Sequence, residues 1–262
     1  MAMDDIFIKA FRVHRQVGDL FHHDSRKVHE LFQTSTIGAL LEGVYDGEVT
    51  YEELARHGDF GLGTFNALDG EMIAFDGQFY QMKGDGKASP VAPSAKTPFA
   101  VVMFFDPTVK VLWEELTDWS HFQQAVDKAV PSKNIFYAVK VQAVFDYIKV
   151  RTVPRQTKPY PLLVEVAKQQ PVYIHEGVRG TLVGFRFPDY AQGLNVPGYH
   201  VHFLNLDRTT GGHVLDFRMM DATVEIDVTS ELHMEVPECG DFLDANLDKD
   251  QSEAIERAER EK

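Results

Sequence analysis

The chain has 262 residues, enough to bury one large core or two modest ones, and 40 acidic against 26 basic side chains give it a formal net charge of -14. Such a surface repels the phosphate backbone and anionic lipid heads, and no basic patch stands out, so nucleic-acid and membrane-surface partners are excluded. An anionic substrate would then need local positive charge, which a metal ion and an arginine can supply.

In chain order, residues 1–6 lack a basic segment followed by an apolar one, and no run approaches the roughly 20 apolar residues that span a bilayer. The chain therefore reads as soluble and cytoplasmic. From Phe7 to Gln33 short apolar stretches alternate with polar ones, a helical-looking segment that carries His14 and His29; Ser35 to Leu41 begins the compact part. Thr50-Tyr51-Glu52-Glu53 has the form of a capping box, and Gly58 is placed to end that helix after His57. Asp69-Gly70 and Asp76-Gly77 bracket a strand-like Glu71-Met72-Ile73-Ala74-Phe75, which Phe79 to Met82 should meet as a hairpin. Glu71 shares a face with Ile73 and Phe75.

A buried strand is expected between Thr97 and Phe105, and Ser120-His121-Phe122-Gln123 opens a second capped helix that Pro131 terminates. The longest strand candidate runs from Val139 to Arg151, with Val141, Ala143, Phe145, Tyr147 and Lys149 on one face. Continued alternation puts Arg151 at the end of that inward face; a bend before the strand's end leaves it solvated. Pro154, Pro159 and Pro161 then mark an interdomain crossing. Beyond it the strands come with many turns, including 180–185, which is weakly similar to 70–75, and the alternating 222–228. The expected fold class is thus mixed α/β (α+β) in two domains. Residues 1–155 form an N-terminal mixed β-sheet with helices, and residues 156–262 a C-terminal β-barrel-like domain with a charged tail.

The chemistry concentrates in Tyr199-His200-Val201-His202-Phe203 and Gly211-Gly212-His213-Val214. Successive strand side chains point to opposite faces, so His200 and His202 share one face. Asp207 to Gly212 tolerates turn geometry and can bring His213 back on the neighbouring strand. Three imidazole nitrogens then converge, as in a zinc site that keeps a fourth position open. The same His-x-His alternation also occurs as plain core or surface imidazoles. His14, His22, His23, His29, His57, His121, His175 and His233 have no partner at ligand spacing and read as solvated. The single cysteine, Cys239, forms no internal disulfide and argues against a Cys-rich structural site. Residues 252–262 form a charged helix or tail whose default role is a solvated face.

Several of these stretches together are similar to bacterial α-acetolactate decarboxylase: residues 34–47, residues 58–65, Leu68-Asp69-Gly70-Glu71, Arg151-Thr152-Val153-Pro154-Arg155-Gln156, and the histidine hairpin. The likeness covers nearly the whole chain. It implies a two-domain α/β protein, usually a homodimer, with zinc on His200, His202 and His213. It also implies places beside the metal for Glu71, for Arg151 and for a tail glutamate, Glu259, with Glu256 and Glu253 as rivals one turn away. The implied reaction is decarboxylation of 2-acetolactate to acetoin, zinc chelating the ketone and hydroxyl oxygens and stabilising an enediolate. Arg151 would orient the departing carboxylate, and Glu71 or Glu259 would return a proton. Two other readings stand beside it. One is a cupin-like metal enzyme acting on another small oxo-acid, although Phe203 to Leu206 offer no glutamate after the pair. The other is a structural zinc module, which would show a fourth protein ligand.

Overall fold

The computed structural model describes residues 14–15, 29–238 and 240–259. His22, His23 and Cys239 lie outside the described residues, as does most of the helical-looking N-terminal stretch. The parts of it that are described are not helical: His14 belongs to strand β1 (His14–Arg15), and His29 takes φ 67° before strand β2 (Glu30–Thr34). Nor is His29 simply solvated, for its Nδ1 lies 2.5 Å from the buried carboxylate of Asp227.

Two seven-stranded sheets and a few helices make up the fold. The first sheet runs β16 (Glu231–Glu235), β2, β9 (Ala100–Met103), β4 (Phe60–Thr64), β5 (Glu71–Phe75), β6 (Gln78–Met82) and β7 (Ala88–Pro90). The second runs β1, β10 (Val109–Trp113), β15 (Gly211–Thr229), β12 (Phe136–Arg151), β13 (Val172–Phe187) and β14 (Gly198–Asn205). In it β11 (Thr117–Asp118) adds to β15, and β14 pairs with β15. That last pairing makes a closed circuit of β12, β13, β14 and β15. A two-stranded piece joins β3 (Val49–Thr50) to β8 (Lys96–Thr97). Among the described residues no helix is long and apolar enough to cross a membrane.

Local chemistry explains the elements that were foreseen. The β5–β6 hairpin turns on Asp76 (φ 52°) and Gly77 (φ 73°), the paired positive dihedrals that a two-residue turn needs to match strand twist. Helix α1 (Ile37–Leu41) is capped by Thr36, whose side chain accepts from the Ala39 N–H, and all five of its residues are buried. The capping box forms around α2 (Tyr51–Leu54), but the helix stops three residues short of His57, whose ring stacks on Phe32 instead. Helix α3 (Trp119–Ala129) starts earlier than expected because Asp118, not Ser120, accepts the free His121 N–H at 2.9 Å.

The Pro-rich segment after β12 leads through α4 (Leu163–Ala167) into β13, the antiparallel neighbour of β12. It is therefore a connection within one sheet. Sheet membership does not divide at residue 155: β10 to β12 belong to the second sheet, and β16 returns to lie parallel to β2 in the first. One core lies between the sheets, where Leu62, Ile73 and Val101 meet Ala138, Val183, Phe185 and Leu204. A second core packs α3 on the far face of the second sheet through Phe122, Val126, Phe145 and Phe217. The third gathers α1, α4 and the C-terminal helix α6 (Ser252–Glu259), which follows the short α5 (Gly240–Leu243). The tail is thus not merely a solvated face, since Ile255 and Ala258 are buried in that third core.

Candidate metal centre

The histidines sit where β14 and β15 pair, with His202 directly opposite His213. The reversal is tighter than the sequence suggested. Asn205 organises it, its Oδ1 accepting from the Thr209 and Thr210 N–H groups, while Gly211 and Gly212 already belong to β15. Those glycines serve close approach more than turning: a Cβ on Gly211 would lie 2.1 Å from the Phe203 carbonyl oxygen, and one on Gly212 2.4 Å from that of Arg151.

All three imidazoles are buried, and their facing nitrogens cluster. His200 Nε2 is 3.3 Å from His202 Nε2 and 3.2 Å from His213 Nδ1. The outer nitrogens fix two of the tautomers. His202 Nδ1–H donates to the Met72 carbonyl at 2.7 Å and His213 Nε2–H to the Glu259 carbonyl at 3.0 Å. The inner nitrogens of both rings are thereby left as lone pairs. Burial, helped by the positive charge of Arg151, pushes His200 down to about 3 and holds the other two well below their usual range. Three neutral nitrogens within 4.8 Å of one another can hold a metal ion.

Charged groups from three other elements close around them. Glu71, first residue of β5, brings Oε2 to 3.6 Å from His202 Nε2. Glu259, last residue of α6, brings Oε2 to 3.6 Å from His213 Nδ1 and 3.8 Å from His200 Nε2. Glu253 and Glu256 are exposed on the other side of that helix, and Glu253 pairs with Arg257. Arg151 ends β12 opposite His213, is 5% exposed, and places Nη2 against the Ala258 carbonyl and 3.8 Å from Glu259 Oε2. Its Nε–H is buried with no hydrogen-bond partner among the described residues.

The arginine does not arrive there by continued alternation. A register shift against β15 between Phe145 and Tyr147 leaves Asp146 as an extra residue in β12 and moves Ile148 and Val150 onto the face that Phe145 left. Arg151 is turned to the opposite face, toward the histidines.

All six residues line one cavity of about 30 Å³ together with Ile37 and Leu40 of α1, Thr64, Phe99, Leu163 and Gln170. Nothing in the sequence marked Gln170, whose Oε1 is buried without a hydrogen-bond partner among the described residues, or the backbone carbonyls of Met72, Ala258 and Glu259. His213 and Glu259 also border a wider cleft of about 410 Å³ that contains Trp119, Arg186 and Tyr199. The tail thus forms a wall between cavity and cleft. Burial, reinforced by the charge of Glu259 and opposed by that of Arg151, raises Glu71 to about 8.

Metal-free protein is expected to be most stable near neutral pH. Imidazoles whose folded pKa lies below the ordinary 6.5 contribute stability that is complete above that value and is lost as pH falls toward the folded one, about 3 for His200. Glu71 acts oppositely: its contribution is complete below 4.5 and is lost as pH rises through about 8. Three imidazoles against one carboxyl make the acid limb the steeper. Thermal midpoints of chelated protein between about pH 4 and pH 9 check this, and a profile flat below pH 6.5 would contradict it.

A sequence profile described as alpha-acetolactate decarboxylase matches residues 31–249. An alpha-acetolactate decarboxylase of Methylococcus capsulatus is 69% identical over 259 residues, covering 99% of this chain and all of that one. That of Bacillus subtilis is 42% identical over 221 residues, covering 84% of this chain and 87% of its own. The crystal structure of alpha-acetolactate decarboxylase from Bacillus subtilis superimposes with a TM-score of 0.87 at 41% identity, covering 88% of this chain and all of that one.

Proposed function

This chain belongs to the alpha-acetolactate decarboxylase family of carboxy-lyases, and from that premise we propose that it converts 2-acetolactate to acetoin and carbon dioxide with zinc on His200, His202 and His213. The observation that carries the metal is the nitrogen spacing. A tetrahedral zinc with bonds of about 2.0–2.1 Å separates its nitrogens by roughly 3.3–3.4 Å, and the facing nitrogens here stand 3.3 and 3.2 Å apart. No cysteine enters the set, and two carboxylates lie at its edge, a donor mixture suited to a reacting rather than a closed site. When bound, zinc would supply a Lewis acid that polarises the ketone and stabilises the negative charge that its oxygen gains as carbon dioxide leaves.

The remaining work falls to the side chains around the histidines. Arg151 presents a buried Nε–H with no hydrogen-bond partner among the described residues, and its planar fork suits the leaving carboxylate, holding the breaking bond across the plane of the ketone. Glu71, whose carboxyl burial pushes up to about 8 in the metal-free protein, is placed to return the proton that the product carbon needs, and one fixed donor gives one face of protonation. Ile37, Leu40, Phe99 and Leu163 exclude water around the apolar end of the substrate. Buried cationic Arg151 also answers the question that a net charge of -14 poses for an anionic substrate.

Purified protein given racemic acetolactate should release acetoin and carbon dioxide. A chelator should abolish that release with the circular dichroism unchanged, and added zinc should restore it. Acetoin formation undiminished after exhaustive metal removal would rule out the metal assignment.

A further inference from the structure

The last turn of α6 meets the site through backbone as well as side chain. The Ala258 carbonyl accepts from Arg151 and the Glu259 carbonyl from His213, so small shifts of this helix disturb the arginine, one histidine tautomer and the Glu259 carboxylate together. Ile255 and Ala258 seat the helix in the third core. Apolar contacts are non-directional, so that seat chooses the inward face of the helix without fixing its position along its axis.

A directional anchor stands at the other end. Gln251 immediately precedes α6 and is only 6% exposed; its backbone carbonyl accepts the Ile255 N–H at 2.9 Å. Its side-chain Nε2 donates to the Gly38 carbonyl and to Glu42 Oε1, each at 3.2 Å. The slot it occupies depends on a missing side chain, because a Cβ on Gly38 would lie 2.5 Å from Gln251 Oε1. Gly38 belongs to α1, the helix that contributes Ile37 and Leu40 to the cavity wall. Eight helical residues at 1.5 Å each carry the anchor's position about 12 Å to Glu259.

We propose that Gln251 is a positioning residue of this centre: locked over Gly38, it sets where α6 ends and so places Glu259 and its carbonyl against His213 and His200. The inference rests on the proposed function for its rate and zinc measurements, whereas tail order is measured independently of both.

The test compares full-length Gln251→Ala, Gly38→Ala and the double variant with the unmodified protein. Gln251→Ala should speed amide exchange within residues 252–259 but not in the two sheets, weaken zinc binding about tenfold, and lower kcat about tenfold with little change in KM. Gly38→Ala should do the same by expelling the glutamine, with added crowding of the Gly193 carbonyl, and the double variant should be no worse than Gly38→Ala alone, because the glutamine contact is already lost there. Unchanged tail exchange and zinc affinity in Gln251→Ala would overturn the proposal. So would faster exchange throughout both sheets, which marks a general stability role, or additive losses in the double variant. Should the unmodified protein form no acetoin or bind no zinc, the proposed function falls, while amide exchange in residues 252–259 still decides the role of Gln251.

Discussion

His202→Ala protein is expected to lose metal and activity together. His202 is 1% exposed and its Nε2 stands 3.3 Å from that of His200, so truncation removes one of three neutral donors from a site with no spare imidazole among the described residues. Structural zinc sites bind with roughly 10–16 kcal/mol shared among their ligands, so one lost ligand should weaken binding by about 10²–10³-fold. Turnover at limiting zinc should fall in proportion. The change also removes the hydrogen bond that His202 Nδ1–H gives the Met72 carbonyl and opens space at the junction of the two sheets. A further loss of about 1–3 kcal/mol in folding stability should follow. His200→Ala separates the two effects, because the outer Nδ1 of that ring has no hydrogen-bond partner among the described residues: zinc should be lost with the smaller drop in stability. Elemental analysis, denaturant midpoints and the acetoin assay check both variants. Zinc-free His202→Ala protein with full activity would sink the metal mechanism.

The histidine trio was legible in the sequence because a strand's period of two puts His200 and His202 on one face, and a short polar link leaves His213 within reach. The placement of Arg151 was not. Which face a strand residue takes depends on the register with its partner, and one extra residue in β12, Asp146, reverses the phase that simple alternation assigns. Topology was hidden for a related reason. The pairing of β16 with β2 spans some two hundred residues and is parallel, so no local turn signal announces it, whereas the Asp76-Gly77 hairpin announces itself. Gly211 and Gly212 read as turn residues because a glycine needed for backbone approach looks the same as one needed for a turn. His29 read as solvated because its partner, Asp227, lies almost two hundred residues away. In the tail the signal was present but unused. Ile255, Ala258 and Glu259 stand at i, i+3 and i+4, one helical face, whereas Glu253 and Glu256 fall outside it.

Arg151→Ala protein is expected to keep zinc and lose turnover. The positive charge of Arg151 is among the causes that lower all three imidazoles, so the same charge repels a cation at their centre. Its removal should leave zinc affinity equal or higher. The substrate's carboxylate then loses its buried donor, and Glu71 loses the one charge that opposes its upward shift. A preorganised donor removed from an active site typically costs about 10²–10³ in kcat, and a comparable drop is expected here. Arg151→Lys keeps the charge without the planar fork, and a lysine cannot donate from two edges toward both the Ala258 carbonyl and the substrate. It should therefore recover only a small part of the loss. Isothermal titration with zinc beside steady-state acetoin kinetics separates binding from chemistry. Zinc lost in parallel with activity would make Arg151 a support of the metal site, whereas zinc retained with kcat collapsed assigns it to the carboxylate that leaves.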